Sequence, residues 1–198
     1  DIRKEVANAF KHIAQHADTL PPEVLNEEIR WFKSAELPEY YILLLTVFDG
    51  KKEVMSVRQT IGFRTIEIKN GIFTFNGKPI KCKGVNHHDT DLYKGYAMSL
   101  ADMERDVSLM KELNVNAVRT SHYPPDPYFI TLADINGLYI IDEADIETHG
   151  MFEHGDINGL SHDLKWATHY VDRVKRMYYR DRNHPAVIMW SLGNESGG

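Results

Sequence analysis

From residue 80 onward the chain alternates short apolar runs with longer stretches whose apolar residues recur every three or four positions. The runs IKCKGVN (80–86), VNAVRTSHY (115–123), YIIDEADIET (139–148) and AVIMWSLGNE (186–195) predict strands. Between them, SLADMERDVSLMKELN (99–114) predicts a helix capped by Ser99, with Leu100, Met103, Val107, Met110 and Leu113 on one face. DPYFITLADINGL (126–138) predicts a second, with Pro127 in its first turn and Gly137 near its end. A third is expected over about 163–179. Strand and helix alternating at this period imply βαβ units and a parallel sheet.

Before residue 80 the pattern differs. YYILLLTVF (40–48), EVMSVRQTIGF (53–63) and RTIEIKNGIFTFNGKPI (64–80) read as short strands, with turns at 49–52, Asn70-Gly71 and Asn76-Gly77. Consecutive hairpins at that spacing suggest the end of a β-sandwich and are too few for a whole one. The first thirty residues are rich in Ala, His and Glu, with a helix expected over 2–17 and a break at Pro21-Pro22.

Each predicted parallel strand ends in a polar cluster: Asn86 to Asp89, Arg119 to Tyr123, Asp142-Glu143 on to Glu147 and His149, and Asn194-Glu195. A parallel sheet gathers such ends on one face, where side chains of a (β/α) barrel reach substrate. An open doubly wound sheet would carry a Gly-rich phosphate loop after its first strand. Here that position holds the polar stretch NHHDTDLYKG, which favours part of a barrel. Each cluster has a plainer reading: a lone His is more often a hydrogen-bonded loop residue, and Asp142 and Glu143 could be ordinary strand-end charges. Glu147 and His149, two apart, project together if the third strand runs through them, and carboxylates with an imidazole suit Mg²⁺ or Mn²⁺ better than Zn²⁺.

Composition narrows the classes. A length of 198 residues with 42% apolar content supports a full core but is short of a whole (β/α)₈ barrel, which takes about 250 residues. A formal net charge of −6 argues against nucleic-acid binding, for want of a basic stripe to meet phosphates. The Lys and Arg between 165 and 182 alternate with apolar residues and read as a solvated helix face. The single cysteine, Cys82, excludes an intrachain disulfide and points to a cytoplasmic setting. No run has transmembrane length, so no membrane partner is expected.

The strings GKPIKCKGVNHHD, NAVRTSHYP, GLYIIDEADIETHGM and RDRNHPAVIMWSLGNESG, in this order and at these intervals, resemble the β-galactosidases of glycoside hydrolase family 2. IGFRTIEIKNGIFTFNGKPI is similar to the junction at which that family's immunoglobulin-like domain meets its catalytic barrel. The resemblance covers about residues 40–198. It implies an α/β chain: the first half of a (β/α)₈ TIM barrel, (β/α)₄, over 69–198, preceded over 1–68 by the tail of an all-β immunoglobulin-like sandwich and an unassigned N-terminal segment.

The resemblance also implies roles. Glu195 would be the general acid/base and Asn194 the partner of the sugar 2-hydroxyl. His88 and His122 would hold the galactosyl group, and Arg119 would orient the nucleophile. Glu147, His149 and Glu195 would be ligands of an active-site Mg²⁺. A retaining glycosidase needs a second carboxylate about 5 Å from the first. In this family it comes from the seventh barrel strand, whereas this chain carries four, so the chain alone is expected to be inactive. The expected partners are a β-galactoside, the remainder of the barrel and further copies in a homo-oligomer. Three alternatives stand beside this reading: a β-glucuronidase or β-mannosidase of the same family, a non-catalytic subunit of a split enzyme, and a metal-dependent barrel hydrolase.

Overall fold

The computed structural model describes residues 41–156 and 158–197; the helix expected over 2–17 lies outside them. β1 (Tyr41–Asp49) and β2 (Lys52–Ile61) form an antiparallel hairpin closed at Asp49↔Lys52, with an irregularity between Val47 and Phe48. β3 (Ile66–Lys69), β4 (Ile72–Phe75) and β5 (Lys78–Pro79) make a separate three-stranded antiparallel sheet. Both of its Asn-Gly turns have positive φ at both residues, 52° and 75° at Asn70-Gly71 and 50° and 75° at Asn76-Gly77, the hairpin geometry that this dipeptide favours.

The remainder is a parallel sheet in the order β6-β7-β8-β9: β6 (Gly84–His87), β7 (Ala117–Thr120), β8 (Tyr139–Glu143) and β9 (Val187–Ser191). α1 (Leu100–Glu112), α2 (Pro127–Asn136) and α3 (Ala167–Asp181) connect these strands. At the start of α1, Ser99 Oγ accepts from Asp102 N while the Asp102 carboxylate accepts from Ser99 N, a reciprocal cap. α2 begins at an Asp126 cap followed by Pro127, and Gly137 closes it with φ 70°. α3 is preceded by a 3₁₀ turn (Leu164–Trp166) capped by Asp163.

The strands are shorter than their apolar runs. Residues 80–83 do not join the sheet, because the Asn116 side chain takes their backbone groups: its Oδ1 accepts from Lys83 N at 2.6 Å and its Nδ2 donates to Lys81 O at 3.1 Å. β8 stops at Glu143, so the expected strand through Glu147 and His149 is corrected. Glu147 makes one isolated bridge with Asn194, and His149 opens a 3₁₀ helix (His149–His154).

Strand alternation assigns the two faces, with one irregularity: Ile140 pairs with Val187 and Ile141 with Met189, so the extra residue Ile188 switches the face of β9 after Val187. Val118, Ile140 and Val187 pack with Met103, Val107 and Met110 of α1 and with Phe129, Ile130 and Ala133 of α2. Trp190 joins Ala144, Ile146 and Met177 under α3, its ring edge-on to Tyr178 with centroids 5.3 Å apart. The opposite face carries Arg119, Ile141, Glu143, Met189 and Ser191. Phe75 of β4 touches Tyr139 at the start of β8, ring centroids 5.4 Å apart, and Arg64 Nε donates to Val187 O at 2.9 Å. These contacts lie at the end of the sheet opposite the polar clusters.

Candidate active site

The centre of the polar end is Glu143, the last residue of β8, whose side chain is 0% exposed. Arg119 of β7 donates to both of its oxygens, Nε to Oε2 at 2.6 Å and Nη2 to Oε1 at 3.0 Å. His122 Nδ1 lies 2.7 Å from Oε1, and Ser191 Oγ of β9 donates to Oε2 at 2.7 Å. Burial pushes the Glu143 carboxyl up. The hydrogen bonds from Arg119, Ser191 and His122, with the guanidinium charge, outweigh burial and hold it below the usual carboxylate range.

The same guanidinium continues outward. Arg119 Nη2 donates to Asn194 Oδ1 at 2.9 Å, and Asn194 Nδ2 donates to Glu147 Oε2 at 2.7 Å. Glu147 Oε1 accepts the backbone N–H of His149 at 3.0 Å, and His149 Nδ1 meets Glu195 Oε2 at 2.6 Å. One polar network therefore joins Arg119, His122, Glu147, His149, Asn194 and Glu195. His88 is added by ring contact, its imidazole edge-on to His122 with centroids 5.2 Å apart. All seven residues singled out from the sequence meet at this end of the sheet, whereas their neighbour His87 does not. It turns to the helix side, stacked on Phe129 with Nε2 3.1 Å from Asp106.

Local backbone geometry presents the Asn-Glu pair. Gly193 has φ 144°, and a Cβ there would stand 2.6 Å from Ile146 O, so β9 can turn tightly over the β8 loop at a glycine. The turn lets Asn194 N donate to Ile146 O at 2.9 Å. Glu195 itself has φ 40°, in the left-handed region that non-glycine residues seldom enter and that recurs at functional sites. Its side chain is 54% exposed, at the rim rather than the floor.

Asp142 and Glu143, equivalent as strand-end charges in the sequence, are separated by alternation. Asp142 points to the helix side, fully buried against Asp181 of α3, whose two oxygens accept from Arg180 Nε at 2.8 and 2.9 Å. Burial, then the charge of Asp181 and a hydrogen bond with it, raise Asp142 to about 8, with Arg180 and Thr120 pulling the other way. Among the described residues no N–H or O–H is aimed at Asp142 Oδ2. A carboxyl that keeps its proton has a donor to offer Asp181, which accounts for that oxygen. Ser191 is a site residue that sequence reasoning missed, and Glu143 one that it placed in a polar cluster without a role; the signal for them was a carboxylate and a hydroxyl on the same face of adjacent strands.

Glu147, His149 and Glu195 have the donor types of a divalent-cation site, but as folded they do not fit one. Nδ1 of His149 is engaged by Glu195, and both Glu147 oxygens accept hydrogen bonds. Among the described residues no group of three His, Cys, Asp or Glu closes to hold a metal.

The family profile described as glycosyl hydrolases family 2, TIM barrel domain, matches residues 66–198. The chain belongs to that family. Its four parallel strands and intervening helices are accordingly part of a TIM barrel. Among curated relatives, a beta-galactosidase of Pectobacterium atrosepticum is 48% identical over 165 residues, 83% of this chain and 16% of the relative. One of Oenococcus oeni is 46% identical over 174 residues, 87% of this chain and 17% of the relative. The chain thus spans less than a fifth of the length of these relatives. Among solved structures, the β-glucuronidase of Ruminococcus gnavus superposes with a TM-score of 0.72 at 28% identity, covering 83% of this chain and 28% of that one. The Bifidobacterium dentium β-glucuronidase complexed with coumarin-3-O-glucuronide gives 0.69 at 28% identity, covering 83% of this chain and 25% of that one. Among the described residues no helix is long and apolar enough to cross a membrane.

Proposed function

We propose that this chain supplies the acid/base half of the catalytic site of a retaining β-galactosidase that releases terminal non-reducing β-D-galactose. The observation that carries this reading is the Asn194-Glu195 pair at the end of β9, tied to the neighbouring strand ends through Arg119 and Glu147. Identities of 46–48% to proteins named beta-galactosidase, against 28% to the β-glucuronidases, favour galactose over glucuronic acid.

In the proposed reaction Glu195 protonates the leaving glycosidic oxygen, then deprotonates the water that releases the sugar. Its exposed place on the rim suits a group that must meet both the aglycone oxygen and water. Asn194 contacts the sugar 2-hydroxyl, and His88 and His122 face the galactosyl hydroxyls. The nucleophile must be a second carboxylate about 5 Å from Glu195. Neither carboxylate ending β8 can serve: Asp142 faces the helices, and both oxygens of Glu143 are engaged by Arg119, His122 and Ser191. On the family resemblance the nucleophile comes from the remainder of the barrel, which is the proposed partner of this chain. Arg119 orients it from the edge of the guanidinium beside Asn194.

Mg²⁺ binding by Glu147, His149 and Glu195 is proposed on donor type for the full-length enzyme only, since as folded here the three do not fit the ion, and no step depends on it. A cytoplasmic setting is proposed on the exposed, unpaired thiol of Cys82. The test is a leaving-group series on the full-length enzyme. Glu195→Gln should slow glycosyl-enzyme formation least for nitrophenyl galactosides, which need little protonation, and most for alkyl galactosides. Equal losses across the series remove Glu195 from the role. Faster turnover of nitrophenyl glucuronide than of the galactoside moves the chain to the glucuronidase reading.

A further inference from the structure

Four donors converge on a carboxylate with no access to water or substrate: Arg119 Nε and Nη2, His122 Nδ1 and Ser191 Oγ, all within 3.0 Å of Glu143. They come from β7, from the turn that follows it and from β9, so Glu143 ties the ends of three adjacent strands. A buried charge is expensive to desolvate and persists where its partners satisfy it fully. Here the hydrogen bonds use all the acceptor capacity of both oxygens, leaving Glu143 nothing with which to meet a ligand.

The atoms that its partners turn away from it are the ones that face the site. Arg119 Nη2 reaches Asn194 Oδ1 at 2.9 Å while held to Glu143 Oε1 at 3.0 Å. An ionised carboxylate only accepts hydrogen bonds, so the 2.7 Å contact with Oε1 puts a proton on His122 Nδ1 and leaves Nε2 as the outward atom; Arg119 Nη2, 3.4 Å from the same nitrogen, already spends both hydrogens on Glu143 and Asn194. We propose that Glu143 is a positioning residue of the active site: it fixes the Nδ1-protonated form of His122 and, through Arg119, the orientation of Asn194. The effect on catalysis rests on the galactosidase reading; the effect on His122 and Arg119 does not.

Glu143→Gln separates this from a filler role, since it keeps the shape and replaces one acceptor oxygen with an amide NH₂. Ser191 can turn its hydroxyl and His122 can move its proton, but a guanidinium cannot become an acceptor. Wherever the NH₂ sits, Arg119 loses one of its two bonds. With the NH₂ at the Oε1 position His122 must give up its Nδ1 proton and accept from the amide; with the NH₂ at the Oε2 position His122 keeps its proton and Arg119 Nε loses its acceptor.

The experiment reads His122 and the Arg119 Nε–H by ¹⁵N NMR in the 198-residue chain, selectively labelled, with His122 assigned by His122→Gln, at mildly alkaline pH. The expected result is a proton on Nδ1 in the wild type and, in Glu143→Gln, either its loss or a faster-exchanging Arg119 Nε–H. An unprotonated Nδ1 in the wild type overturns the proposal without any variant, so a Glu143→Gln chain that fails to fold does not shield it. An Nδ1 proton retained in a folded Glu143→Gln chain, together with an Arg119 Nε–H that exchanges as in the wild type, overturns it too. In the full-length enzyme, Glu143→Gln should lower kcat per active site by about 10²-fold, the scale of a small misplacement of reacting groups. A variant that loses only folded protein, with kcat per titrated site unchanged, also overturns it. If instead wild-type enzyme shows no β-galactosidase activity while the Nδ1 result holds, the functional reading fails and the positioning role stands.

Discussion

Arg119 and Asn194 are 75 residues apart in the chain, yet the guanidinium of one donates to the amide oxygen of the other at 2.9 Å. The contact fixes which way the Asn194 amide faces, because its NH₂ must then point to Glu147. The residue preceding the proposed acid/base is thereby oriented from β7 and from the loop after β8 at once.

Replacing Arg119 by Lys keeps the charge and loses the fork. A point ammonium cannot bridge both Glu143 oxygens and Asn194 together. We expect Arg119→Lys to destabilise the chain by about 1–3 kcal/mol, since Glu143 stays buried with an acceptor unmet. Urea denaturation of both chains checks it. A midpoint equal to wild type would mean that the lysine restores every bond, contrary to the geometry.

Gly193→Ala tests the turn that delivers Asn194 and Glu195. The new Cβ would stand 2.6 Å from Ile146 O, at a φ of 144° that side chains disfavour. Ile146 O is also the acceptor of Asn194 N, so relief of the clash breaks the bond that holds the pair. The expected loss is about 2–4 kcal/mol. Unchanged thermal stability together with unchanged Asn194 amide exchange would contradict it.

Asp142 makes stability depend on pH. Its carboxyl is raised to about 8 in the fold by burial and by Asp181, from about 3.9 in an unfolded chain. Below about pH 4 it is protonated in both states, and its full contribution is present. As pH rises toward 8 the unfolded chain releases a proton that the fold retains, so stability falls, by up to about 1.4 kcal/mol per pH unit. Asp142→Asn should remove this slope and be the more stable chain at pH 8. Parallel stability–pH curves for the two chains would show that Asp142 does not hold its proton.

How much of this was legible beforehand depended on whether the signal was local. Ser99, Asp126 with Pro127, and Gly137 announce α1 and α2 because caps act within a turn, and both helices lie where these residues place them. The Asn-Gly turns are local in the same way. The late start of β6 within the run 80–86 is not legible, because what removes residues 80–83 from the ladder is the Asn116 side chain, 33 residues from Lys83. The third strand misleads for a related reason: the pairing that would extend it past Glu143 depends on how β9 turns at Gly193. Glu143 looks like Asp142 until the sheet supplies four donors to one and a second carboxylate to the other.

The open edges of the sheet give the last prediction. In the order β6-β7-β8-β9 neither β6 nor β9 has a partner on its outer side among the described residues, and both present unpaired backbone groups. Apolar side chains accompany them: Val85 is 39% exposed, Met189 43% and Leu192 69%. A TIM barrel covers such edges by closing on itself, so a chain carrying only these strands has a driving force to pair with another copy. We expect the isolated chain to dimerise or form larger assemblies through β6 and β9, and Met189→Lys, which sets a charge on the exposed face beside the edge, to weaken the association. Light scattering at rising concentration checks the first, and hydrogen exchange of the β9 amides the second. A monomer at high concentration, with those amides exchanging at the rate of open chain, would show that the edges are not sticky and would remove the ground for a homo-oligomer built on them.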